Sequence, residues 1–152
     1  MFNVNNLKIE TKKGRVLIEN LSFVLNPSDK LAIIGEEGNG KSTLMKAMIS
    51  ENLVSDYCTV SGKISRDNCH IGYLEQKLDS FWDDKQIEDY FVHDQFSKEI
   101  DFDKYAQINN FCMCLKNLGF DETLLENQIK IKDLSGGEKV KLQLARLMAG
   151  EY

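Results

Sequence analysis

Apolar and polar positions trade places at short intervals through the first two runs of the chain, "FNVNNLKIE" and "RVLIENLSFVL", which the turn-like "TKKG" separates. Val16, Ile18, Leu21 and Phe23 keep the alternation imperfectly, but β-branched and aromatic residues are frequent, so residues 2–25 read as two strands. Pro27 ends that unit, and "KLAIIG" predicts a short apolar strand running into a glycine-rich turn and the helix former "KSTLMKAMIS". "TVSGKIS" and "HIGYLEQ" predict two further short strands with a turn at "RDN".

The period becomes helical from about Trp82. Tyr105, Ile108, Phe111, Cys112, Leu115 and Leu118 recur at three- and four-residue steps, a stripe that reads as core. Gly119 should close that helix, Asp121 should cap a short one in "DETLLEN", and a last helix should start at Ser135 with Val140, Leu142, Leu144, Leu147 and Met148 as its apolar surface. Repeats, linkers and low-complexity segments are not visible.

Composition narrows the class. With 152 residues, 42% hydrophobic and 28% charged, the chain suits one globular unit or part of one. A net charge of -5 argues against general coating of nucleic acid, which favours a surplus of Lys and Arg. The four cysteines show no zinc-type spacing and read as reduced, packed thiols. Neither a basic-then-apolar leader nor an apolar run near the roughly 18 residues of a bilayer span occurs, so a soluble, cytoplasmic protein is expected.

Candidate chemistry lies in two glycine-rich stretches. "GEEGNGKS", residues 35–42, fits GxxxxGK[ST] between an apolar run and a helix. Gly38 and Gly40 let the backbone turn so that successive N–H groups face a phosphate, with Gly35 and Asn39 also counted as binding residues; Lys41 reaches the β- and γ-phosphates, and the Ser42 hydroxyl can hold Mg2+. Glu36 and Glu37 would repel a triphosphate unless they point outward. In "LSGGE", Ser135 and Glu138 make a capping box. That box does not account for Gly136 and Gly137, each of which weakens a helix by about 1 kcal/mol relative to Ala. A hydroxyl and bare N–H groups at a helix start form a second place where a phosphate can approach.

"GEEGNGKST", Gln76 within "GYLEQ", and "LSGGEKVKLQLARL" together resemble the ordered Walker A, Q-loop and signature set of the ATP-binding cassette (ABC) ATPases, from about Leu7 to the last residue. The resemblance implies an incomplete α/β P-loop domain: an antiparallel β-subdomain and parallel-sheet core fragment over about 1–80, and a helical subdomain over about 81–152. It implies ATP and Mg2+ as cofactors, with Lys41, Ser42 and Thr43 matching phosphate and Mg2+ ligands, Gln76 the metal and water contact, and Ser135, Gly136 and Gly137 the contact to a phosphate held by a second ABC ATPase domain. That second domain would lie in the same chain or in a homodimer.

The chain departs from the family pattern at two places. Thr11 and Lys12 stand where an adenine-stacking aromatic is expected. No Walker B aspartate, catalytic glutamate or switch histidine follows the signature; Asp121 and Glu122 read as a helix start, and His70 and His93 as surface or packing residues. We therefore expect a domain truncated before Walker B that binds nucleotide without turning it over, and whose uncovered strand edges favour self-association. Within the family, "GYLEQ" and the signature look like the soluble ABC-F branch, whose members act on the ribosome. The alternatives are the nucleotide-binding subunit of a transporter docked on a transmembrane partner, and a non-hydrolysing nucleotide-binding module.

Overall fold

The alternating N-terminal runs form β1 (Phe2–Thr11) and β2 (Val16–Leu25), joined by the expected turn. The computed structural model describes residues 1–150; Glu151 and Tyr152, the end of the expected domain, lie outside the described residues. By its contacts the chain divides into a unit Met1–Ile71 and a second beginning at Gly72.

In the first unit, β3 (Cys58–Arg66) pairs antiparallel with the other edge of β1, giving the sheet order β2-β1-β3. Val4, Leu7 and Ile9 of β1 point to one face, where they bury against Leu44 and Ala47 of α1 (Lys41–Ile49), Val54 and Cys58. Arg66 fixes the far end of α1, donating from Nε to Met48 O at 2.7 Å and from Nη2 to Ala47 O at 2.9 Å, carbonyls that the last turn leaves without intrahelical partners.

Two expected strands do not form. Residues 30–35 are irregular, with Leu31 exposed and Ile34 93% exposed. An apolar run becomes a strand only when a neighbour takes up its N–H and C=O groups, and none of the three described strands pairs with this one. "HIGYLEQ" is also irregular, because side-chain amides of the second unit, described below, hold its backbone where a ladder would.

The second unit is helical, with α2 (Ile87–Val92), α3 (Ile108–Asn117), α4 (Glu122–Glu126) and α5 (Gly136–Ala149). Its core joins Trp82, Tyr90, Phe91, Phe111, Leu115, Ile131 and Leu142. Phe91 and Phe111 stack at 4.5 Å, and Trp82 meets Tyr90 edge-on at 4.9 Å. Truncating one such ring to Ala costs on the order of 3–5 kcal/mol. The expected α3 stripe is core except at Tyr105, which is 49% exposed and stacks on Phe102 in the 3-10 turn Phe102–Gln107. That turn has three residues per turn, so its face falls out of phase with α3. As expected, α3 ends before Gly119, and Asp121 caps α4 by accepting from Thr123 N–H at 2.9 Å.

The buried face of α5 differs from expectation. Leu142 is buried, but Val140 and Met148 are exposed, and Gln143, Ala145, Arg146 and Ala149 lie inside. The small residues at 145 and 149 set this phase, because they let α5 approach its neighbours closely, and the two long polar side chains beside them satisfy backbone groups.

Candidate functional site

The loop from Gly35 to Gly40 is shaped by conformations that other residues resist. Gly38 and Gly40 have φ of 78° and 81°. A Cβ at Gly40 would also stand 3.0 Å from Leu17 Cβ, so that Leu17 would have to give way by a few tenths of an ångström. Gly40 is the N-cap of α1, and no side chain caps the helix or places an acid in its first turn. The first intrahelical bond runs from Leu44 N–H to Gly40 O at 2.8 Å, so the N–H groups of Lys41, Ser42 and Thr43 at the positive end of the helix have no intrahelical acceptor.

Lys41 folds back over the loop, its Nζ donating to Gly35 O and Glu36 O at 2.6 Å each. Arg15 braces the loop from the start of β2 with a 3.3 Å bond to Gly38 O, and Asn39 N–H donates to Glu36 O at 3.4 Å. Glu36 and Glu37 are exposed, as is the Ser42 side chain. The loop thus holds the Lys41 ammonium against two of its own carbonyls. Among the described residues no group of three or more His, Cys, Asp or Glu could hold a metal ion by itself. A divalent ion at Ser42 would therefore draw most of its ligands from phosphate oxygens and water, which is the ordinary chemistry of Mg2+ with a nucleotide.

In the second unit, Ser135 is the N-cap of α5. Its Oγ accepts from Glu138 N–H at 3.3 Å while Glu138 Oε2 accepts from Ser135 N–H at 2.6 Å, the reciprocal box expected from the sequence. The Ser135 side chain, and then its N–H, hold the Glu138 carboxyl below the usual carboxylate range. Gly136 and Gly137 are exposed, and a Cβ on either would meet nothing within 4 Å. Their N–H groups precede the first intrahelical bond, Lys139 N–H to Ser135 O at 3.0 Å.

Gln76 is exposed in a bend. The residue before it is tied to α5 through Glu75 N–H, which donates to Gln143 Oε1 at 2.7 Å. Gln143 lies eight positions beyond Ser135, so this tie sits roughly 12 Å along the helix from the signature glycines. The structure thus groups Gly35 to Thr43 in one unit and Gln76 with Ser135, Gly136 and Gly137 in the other. Sequence reasoning missed Arg15, Gln95 and Gln143. The Leu142, Ala145, Ala149 spacing was a usable signal for the last, since that phase turns Gln143 inward.

A family model described as ABC transporter matches residues 18–152. The chain belongs to that family. The ABC domain is a P-loop NTPase unit, and the antiparallel sheet with helices is an incomplete α/β domain of this class. The family implies nucleotide binding and ATPase chemistry. Among relatives, the ATP-binding protein Uup of Buchnera aphidicola is 33% identical over 88% of this chain and 21% of its own length. The ribosome protection protein VmlR of Bacillus subtilis is 28% identical over 86% of the chain and 21% of its own length. A protein of Cyanophora paradoxa named as an ABC transporter ATP-binding protein is 27% identical over 97% of the chain and 61% of its own length. The ABC domain chain therefore spans about a fifth of the length of the first two. No helix among the described residues is long and apolar enough to cross a membrane.

Proposed function

We propose that this chain is the nucleotide-binding portion of an ABC-F-like cytoplasmic ATPase that acts on the ribosome. The observation that carries the nucleotide reading is the uncapped start of α1 behind Gly40, with Lys41 Nζ folded over the same loop. The N–H groups of this turn would take phosphate oxygens of ATP, and Lys41 would release its two carbonyls to neutralise the β- and γ-phosphates. The Ser42 hydroxyl would help hold Mg2+, which when bound offsets charge on the phosphates. Ser135, Gly136 and Gly137, exposed at the start of α5, would contact the γ-phosphate on a second ABC domain.

Hydrolysis also needs a carboxylate that orients water, and no apolar strand bearing an Asp–Glu pair follows the signature within these 152 residues. The chain alone therefore binds ATP without appreciable turnover. Calorimetric titration with MgATP tests the first statement: binding by the chain, weakened at least about tenfold in Lys41→Ala, is expected, and equal affinity of the two would refute it. Steady phosphate release that disappears in Lys41→Ala would refute the second.

The ribosomal assignment rests on the similarity to the ribosome protection protein VmlR, together with the "GYLEQ" and "LSGGE" stretches. A transporter subunit is the second reading, favoured by the Cyanophora relative. The coding sequence downstream of Tyr152 separates them. A linker and a second LSGG-bearing cassette select the first, whereas a single cassette beside a membrane-protein gene selects the second.

A further inference from the structure

We propose that Gln143 is a positioning residue for Gln76, holding the backbone at Glu75 so that the Q-loop side chain is carried by the signature helix; this rests on the reading of Gln76 as a metal and water contact. Gln143 is 3% exposed, and an amide side chain so deep in an apolar face is costly to bury without a partner. Its partner is Glu75 N–H, at 2.7 Å. Only the carbonyl oxygen of an amide accepts, so the bond also fixes the orientation of the Gln143 side chain.

A second glutamine closes on the same segment. Gln95, 6% exposed, donates from Nε2 to Tyr73 O at 3.2 Å and to Glu75 Oε1 at 3.0 Å. Residues 73–75 belong to no described sheet, so these side-chain amides supply the fixing that a strand would take from its neighbours. One turn beyond Gln143, Arg146 donates to Tyr90 O at 2.9 Å and His93 O at 2.6 Å, carbonyls at the end of α2. The buried face of α5 thus binds two separate backbone segments of its unit by polar bonds that direct themselves, where apolar packing would permit sliding. The pinned segment stops at Glu75 and the exposed side chain of Gln76 comes next. Displacement of α5 therefore displaces Gln76 with it.

Amide hydrogen exchange by NMR on the full chain, paired with titration of a fluorescent ATP analogue with and without Mg2+, tests this. Gln143→Leu keeps the buried volume and removes the acceptor. The expected result is exchange at Glu75 N–H at least tenfold faster, unchanged rates in the interior of α5, and near-normal protection in Gln143→Glu, which keeps an acceptor. Gln143→Leu should also lose the Mg2+-dependent gain in affinity to the extent that Gln76→Ala does, with no further loss in the double variant and no change in metal-free affinity. Unchanged exchange at Glu75, equally faster exchange at every amide, or full additivity of the two variants would overturn it. A wild-type chain that binds no nucleotide would refute the proposed function at the P-loop, while exchange at Glu75 would still decide whether Gln143 holds that backbone.

Discussion

The two glycine-rich helix starts of this ABC domain look alike in sequence and differ in what the fold asks of them. At the start of α1, Gly40 has φ of 81° and its missing Cβ would press on Leu17. At the start of α5, Gly136 and Gly137 would meet nothing within 4 Å if each carried a methyl group. At Gly40 the backbone conformation and the Leu17 contact both disfavour any side chain. At the second start, no contact among the described residues requires glycine. The caps differ in the same sense: α1 starts with none, and α5 starts with a complete reciprocal box.

The comparison is sharpest at Gly40. Gly40→Ala should cost about 1–3 kcal/mol in urea unfolding, from left-handed strain and the Leu17 contact together, and should weaken nucleotide binding with it. A neutral effect would mean that the loop relaxes freely and that its shape is not built into the first unit. The opposite sign is expected at the other start. Gly137→Ala should raise stability by up to about 1 kcal/mol, since Ala is the better helix former and space is open. A lower melting temperature for Gly137→Ala would show that the fold does require glycine there and would erase the contrast.

The smallest effect concerns the box that α1 lacks. Because Ser135 holds the Glu138 carboxyl below its usual range, the folded state favours the ionised form. That contribution is present above the ordinary Glu pKa of about 4.3 and is lost as pH falls through the lower folded-state value. Glu138→Gln, which keeps an acceptor but does not titrate, should therefore lose less stability on acidification than the natural chain does. Equal acid slopes for the two would place the capping interaction outside the pH response.

Both helix starts could be read in the sequence because their signals are local. Capping by Ser135 and Asp121, the turn between β1 and β2, and the glycine-rich entry to α1 each depend on residues within a few positions of one another. The misreadings are of another kind. Residues 30–35 have strand composition, but composition supplies no hydrogen-bonding neighbour. "HIGYLEQ" reads as a strand for the same reason, yet its backbone is taken up by Gln143 and Gln95, which lie far along the chain. Tyr105 has helical spacing to Ile108 but stands on a 3-10 turn, where that spacing points elsewhere.

The sequence by itself determined the ordered set of glycine-rich motifs, the helix caps and the family, because each is written in short spacings whose chemistry does not depend on the rest of the chain. Tertiary structure decided which apolar runs found a partner, that α5 buries Gln143 and Arg146 between its small residues, and that Gln76 follows a backbone pinned to the signature helix. These depend on hydrogen-bond partners and packing faces brought together across long stretches of chain, and no local pattern encodes which distant group will be there to receive a buried amide.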